Sequence, residues 1–323
     1  MVDQLQEQIV QFSFDGGGWM HSFLFGVAEY IEEHFDTTSP LLRFSGSSSG
    51  AAVVAPLAAG VPMNDYFTEA LTCYESCRTN PFNNCNEVER IMRKVSPPDG
   101  VWEKLASGRV CVNLTRIRVY VRWVWVLKCK LWFIPITIPV PIPIPILEIK
   151  PHHVTEFKDR ETAISVVRGS CHLPVFGGIR GYDVPGIGRV WDGNMSTHFT
   201  RFPDVHGKIK TIRVSVWYRS ESDMIGSGVP FTRWNWSYFP QSPDMLRALK
   251  RLGYYRAAEY FAKNNNNFRH VMKTKNPHIH SDDDIRDNLE DLLALFKSMV
   301  RPVAKDRVGE SYGYDVNERV RFF

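Results

Sequence analysis

An α/β fold with a mostly parallel central sheet is predicted by two strand, glycine-turn, helix junctions and a later strand-to-turn carboxylate in this chain of 323 residues. The first junction runs from Phe12-Ser13-Phe14-Asp15 through Gly16-Gly17-Gly18 into a helical stretch from Trp19 to about Phe35. The second runs from Leu41, Leu42 and Phe44 through Gly46-Ser47-Ser48-Ser49-Gly50 into the small-residue run Ala51 to Ala55. Such units stack as parallel strands with helices on both faces, giving three layers. Their functional loops then gather at the carboxyl ends of the strands.

Gly46 to Gly50 is a G-x-S-x-G elbow in the strand-to-helix context that motif requires, and it makes Ser48 the candidate nucleophile. A serine on so sharp a turn has its hydroxyl thrust out of the sheet above a helix N-terminus that favours negative charge. A side chain at Gly46 or Gly50 would collide with neighbouring backbone. The apolar flanks on both sides argue against a Gly/Ser linker. Upstream, the backbone amides of Gly16, Gly17 and Gly18 are candidates for an oxyanion hole, since N–H groups free at a helix start can point at developing negative charge. Neither a phosphate loop nor a dinucleotide site is met: Gly-Trp-Met stands where Gly-Lys-Ser/Thr is needed, and His21 where G-x-G-x-x-G needs its last glycine. The third piece is Val190-Trp191-Asp192-Gly193-Asn194, which sets a carboxylate at a strand-to-turn junction, where an exposed serine needs a base.

The order of glycine loop, serine elbow and Asp-Gly pair, with Ser170-Cys171-His172-Leu173-Pro174-Val175-Phe176 ahead of the last, resembles the patatin-like phospholipases. The match covers roughly residues 9 to 262 and is closest to the adiponutrin and adipose triglyceride lipase branch; Tyr238-Phe239-Pro240 and the helical pattern from Leu246 to Phe261 are similar to the stretch that closes that branch's domain. The resemblance implies a three-layer α/β/α sandwich and a Ser-Asp dyad. Ser48 is the nucleophile, Asp192 the base, Gly16 to Gly18 the oxyanion hole, and Gly46, Gly50 and Gly193 the motif glycines. It implies cleavage of fatty-acyl esters with no cofactor and no metal. His21, His172 and His198 lie near the motifs and would be the candidates for a triad instead. The chain departs from the family at Met20, where many members carry Arg or Lys, and at His21, where a further glycine is usual. Acyl transfer on the same dyad, or a lipid-surface binding protein with little turnover, are the other readings.

Composition agrees with a globular enzyme at 44% hydrophobic and 23% charged residues. A net charge of +4 does not argue for nucleic acid, and supports at most a mild preference for anionic membrane surfaces. Six scattered cysteines and the absence of a secretory leader at Met1-Val2-Asp3-Gln4 suggest a reducing compartment. The resulting expectation is a cytoplasmic protein peripherally associated with membranes or lipid droplets. Cys73, Cys77 and Cys85 lack a fourth ligand at zinc spacing.

Residues 116 to 150 form an insertion in which Val119 to Val126 alternates and an Ile-Pro string runs on to Ile146. Proline at every second position forbids a helix and a central strand, leaving polyproline II or a sheet-edge excursion. The prolines, with Arg122, Lys128 and Lys130, exclude a transmembrane helix. Ile142, Ile144 and Ile146, bordered by Trp123, Trp125 and Trp132, either face lipid or cover the protein's own core. Phe231 to Phe239 is a pocket rim or packed loop. The resemblance implies an acyl hydrolase domain over 1–262, followed by a helical extension and tail over 263–323. In that extension Ser281 caps a helix whose apolar stripe, Ile285, Leu289, Leu292, Leu293, Leu295, Phe296 and Met299, needs a partner surface.

Overall fold

The structure, a computed structural model, describes residues 8–97, 100, 102, 108–126, 140–202, 209–218, 220–229, 231, 235–264, 268–273 and 280–299. Lys128, Lys130, Trp132 and the tail after residue 299 therefore lie outside the described residues, as do 232–234 of the Phe231 to Phe239 stretch. The strands are β1 Ile9–Phe14, β2 Leu42–Ser47, β3 Val110–Val126, β4 Val140–Val154, β5 Tyr182–Val184, β6 Gly188–Val190, β7 Ile209–Ser215 and β8 Met224–Gly226. The helices are α1 His21–His34, α2 Ser49–Ala58, α3 Met63–Thr72, α4 Tyr74–Thr79, α5 Asn84–Val95, α6 Arg160–Ser170, α7 Asn235–Tyr238, α8 Pro243–Asn264 and α9 Asp282–Met299.

Six strands form one sheet in the order β4-β3-β2-β1-β7-β8, all neighbours parallel except the β3–β4 pair. Helices flank it, compatible with a three-layer α/β/α sandwich closed by C-terminal helices. Alternation sorts the strand residues by face. Val10, Phe12 and Phe14 of β1 line up with Leu42 and Phe44 of β2 and with Ile212 and Val214 of β7, all buried. This apolar face meets Phe35 at the end of α1 and Phe261 of α8, whose rings lie 5.5 and 6.1 Å from Phe12. The opposite face carries Gln11, Ser13 and Ser45, buried yet satisfied because all three side chains donate to the carbonyl of Thr200.

The register Phe14↔Gly46 makes β1 and β2 end level. The loops that follow them, Asp15 to Gly18 and Ser48, consequently lie side by side at the carboxyl edge. The extension joins the same core: Ile285, Leu289, Leu292 and Phe296 are buried, Phe296 sits edge-on to Phe231 at 5.6 Å, and α9 packs on α8. The stripe finds its partner surface at Ile285, Leu289, Leu292 and Phe296 while Leu295 stays exposed, and Ser281 Oγ accepts the Asp284 amide at 3.1 Å. Phe231 and the buried Trp236 are packing residues, with ring centroids 5.8 Å apart.

The insertion is the sheet-edge alternative, in the form of a long antiparallel ribbon from Val112↔Val154 to Val126↔Val140. Prolines fit there because an edge strand turns every second N–H away from its partner, and Pro141, Pro143 and Pro145 share one parity. The ribbon is exposed, so Ile142 and Ile144 do not cover the protein's core. Among the described residues no helix is long and apolar enough to cross a membrane.

Candidate active site

Ser48 occupies the turn between β2 and α2 with φ 53° and ψ −130°. A non-glycine residue with positive φ stores about 1–3 kcal/mol of strain and persists only where its surroundings hold it. Here the Ser48 amide donates to Ser170 Oγ at 2.9 Å, and that hydroxyl donates in turn to the carbonyl of Asn113 at 2.7 Å. The flanking glycines answer to close approach. A Cβ on Gly46 would lie 2.6 Å from the Gly50 carbonyl carbon, and one on Gly50 would lie 2.6 Å from the Asp15 carbonyl oxygen.

Asp192 arrives from the other side of the site. Trp191 pairs with Thr115 of β3 through both backbone hydrogen bonds, and the Thr115 hydroxyl donates to the carbonyl of Asp192 at 2.6 Å. Its Oδ1 accepts the Asn194 amide at 2.9 Å, and its Oδ2 accepts the Ser48 hydroxyl at 2.7 Å. Gly193 follows under steric constraint, since a Cβ there would run into the Asn113 carbonyl. Burial pushes the Asp192 carboxyl up to about 7; the hydrogen bonds from Ser48 and Asn194 oppose the rise, and the neighbouring Asp15 charge adds to it. The site therefore holds a hydroxyl donor on a carboxylate that titrates near neutrality.

The glycine loop lies against this pair. The Gly16 amide donates to Asp15 Oδ1 at 2.7 Å and the Gly17 amide to Ser49 Oγ at 2.9 Å. The Gly18 amide has no hydrogen-bond partner among the described residues, and Gly18 itself takes φ 53°. A Cβ on Gly16 would stand 2.8 Å from Ser48 Cβ and 3.0 Å from Asn194 Cγ. Gly16→Ala is accordingly expected to displace the serine and lower kcat/KM by about 10²-fold, as ångström-scale misplacement does. A steady-state assay beside a thermal melt checks it, the melt separating misplacement from unfolding.

None of the histidines singled out from the sequence reaches the Ser48–Asp192 contact. His21 is half-buried between Trp19 and Phe25, its Nδ1 2.5 Å from the Gly18 carbonyl, and desolvation lowers its pKa to about 4. His172 is buried, with Nε2 3.2 Å from the Gly178 carbonyl, and burial again lowers its pKa. His198 is exposed and places Nδ1 3.4 Å from Asp15 Oδ1, which raises its pKa.

Four supporting residues lie within or beside the segments quoted from the sequence but were given no role there. Asp15 anchors Gly16 and accepts the Ser215 hydroxyl at 2.8 Å; Asn194 Oδ1 accepts the Ser47 hydroxyl at 3.0 Å; Ser170 holds the Ser48 amide; Ser49 holds Gly17. For Ser49 a role was readable, because the residue after an elbow nucleophile opens the helix with an amide that has no helical partner. Beside the site, Ser237 of α7 crowds Gly18, and Tyr238 stacks on Phe176 at 4.7 Å with Phe82 next to it at 5.9 Å. Burial and the Asp192 charge raise the pKa of Tyr238, in keeping with an aromatic wall close to the carboxylate.

No family model matches the chain, and no curated protein matches it. Among solved structures it is similar to VipD from Legionella pneumophila, with a TM-score of 0.41 and 11% identity over 79% of this chain and 67% of that one. A likeness at that level carries no argument about activity.

Proposed function

We propose that the chain is a serine acyl hydrolase of the patatin-like kind, nearest in its motifs to the adiponutrin and adipose triglyceride lipase branch, and that it cleaves fatty-acyl esters through a Ser48–Asp192 dyad. The observation that carries this reading is the 2.7 Å contact from Ser48 Oγ to Asp192 Oδ2, made by a serine held at positive φ. A hydroxyl needs a base to become a nucleophile, and a carboxyl pushed up to about 7 is matched to that task near neutral pH.

In the reaction, Ser48 Oγ attacks the ester carbonyl carbon while Asp192 Oδ2 takes its proton. The oxyanion is received by the amides of Gly17, Gly18 and Ser49, the Gly16 amide being held by Asp15. The Gly18 amide is ready, and the Gly17 amide joins as the Ser49 hydroxyl turns from it. Asp192 then returns the proton to the departing alcohol, leaving the acyl group on Ser48. A water, deprotonated by Asp192, attacks the acyl-enzyme; the acid departs and Ser48 is restored. The aromatic wall of Tyr238, Phe176 and Phe82 supports an apolar acyl chain over a small polar ester.

A series of 4-nitrophenyl esters from acetate to palmitate tests the reading. Turnover is expected across the series, with kcat/KM rising as the acyl chain lengthens. Absence of turnover on every ester would overturn it.

A further inference from the structure

The β3–β4 ribbon has two unlike faces. Residues opposite one another in an antiparallel pair share a face, so Ile117↔Ile149, Val119↔Leu147, Val121↔Pro145 and Trp123↔Pro143 assemble a face made only of apolar side chains. It is open to solvent, with exposures of 70% at Val119, 54% at Val121, 60% at Trp123 and 60% at Leu147. Contiguous exposed apolar surface of this kind marks an interaction site. The reverse face carries Arg116, Arg118, Arg122 and Lys150 among Tyr120, Ile142 and Ile144, with Glu148 as its acid, 2.7 Å from Lys150. A small cavity at its base is lined by Arg116, Arg118, Lys150 and His152 together with Glu148 and Pro151.

The edges of the ribbon narrow the choice of partner. The Thr115–Trp191 pairing shows which parity turns its backbone groups outward, and Pro151, Pro145, Pro143 and Pro141 share that parity on β4. The outer edge of β4 therefore lacks N–H donors at these positions, and an added strand from a protein or a second copy would find an interrupted ladder. The outer edge of β3 beyond Thr115 keeps N–H and C=O groups without a backbone partner among the described residues, which argues against placing the ribbon at the centre of a bilayer. An exposed apolar face backed by Arg118, Arg122 and Lys150 favours a partner that is apolar, fluid and negatively charged at its rim.

We propose that this ribbon docks on an anionic lipid surface, lying in the interface plane as cationic amphipathic helices do. With the apolar face about 5–10 Å into the headgroup and acyl boundary, a sheet thickness of about 10 Å sets Arg118, Arg122 and Lys150 at the phosphates. Trp123 sits where aromatic rings favour the interface. The proposal is independent of the ester chemistry, so its test does not read activity.

The test is co-sedimentation of the full chain with vesicles of phosphatidylcholine alone and of phosphatidylcholine and phosphatidylserine in equal parts. Wild type is expected to bind the mixed vesicles by preference. Val119→Ser combined with Val121→Ser and Leu147→Ser is expected to lower that partition by about tenfold or more with an unchanged thermal midpoint, because these side chains are exposed. Arg118→Gln with Arg122→Gln is expected to lose about tenfold on mixed vesicles and little on phosphatidylcholine. Undiminished binding by both variants would overturn the proposal. So would a wild type that ignores vesicles but sediments as a dimer that the serine variant dissolves, which would assign the face to a second copy.

Discussion

Ser48→Ala is expected to lose about 10⁴-fold or more in ester hydrolysis, since the nucleophile has no substitute. The fold should survive, because Ser48 acts at a turn and Ser170 still holds its backbone amide. Removing the hydroxyl takes away a hydrogen bond that favours the charged form of Asp192, so that carboxyl should titrate still higher. Ser48→Gly should be equally inactive yet about 1 kcal/mol more stable than Ser48→Ala, because glycine accepts φ 53° without the Cβ penalty. Initial rates and paired thermal melts check both statements.

Asp192→Asn is expected to lower kcat/KM by roughly 10²–10⁴-fold, the usual worth of a positioned base, and to add almost nothing when combined with Ser48→Ala. In wild type the base works only when ionised, so activity should rise with pH through a midpoint near 7. Stability should move the other way. Between the unfolded value of 3.8 and the folded value of about 7 the native state holds a proton that the unfolded chain has released. Its contribution to stability therefore falls by about 1.4 kcal/mol for each pH step of one across that window, and levels off above it. Asparagine never carries the charge; its carbonyl can accept from the Asn194 amide while its amide donates to Ser48 Oγ. The variant should thus melt above wild type at pH 8, with the gap closing towards pH 4. A variant that melts at or below wild type at both pH values would contradict the buried, charge-disfavouring site.

The glycines made the site legible. Gly46 is demanded by the backbone of its own turn, and Gly50 by the carbonyls of Phe14 and Asp15 at the end of the neighbouring strand, so the elbow could be read from its motif but the reason for Gly50 needed the β1–β2 pairing. Asp192 was legible through its glycine, which a carbonyl on β3 crowds. Asp15, Ser170 and Asn194 were not, because each matters through a hydrogen bond to a residue far along the chain, and an ordinary polar side chain announces no such partner. The insertion shows the same boundary. Proline spacing left polyproline II or a sheet edge open, and only the register with β3 reveals that Ile142 and Ile144 share a face with Arg118 and Arg122, while Val119, Val121 and Trp123 form the wholly apolar face. The stripe on α9 announced that it would be covered; that α8 and Phe231 cover it depends on packing.

The most direct measurement is labelling with a fluorophosphonate, followed by mass-spectrometric mapping of the modified peptide. Ser48 at the elbow, 2.7 Å from the Asp192 carboxylate, predicts one adduct on Ser48. It should form in wild type with a rate that rises through pH 7, and be lost in Ser48→Ala and nearly lost in Asp192→Asn. An adduct on another residue, or one that persists in the Ser48→Ala protein, would contradict the dyad.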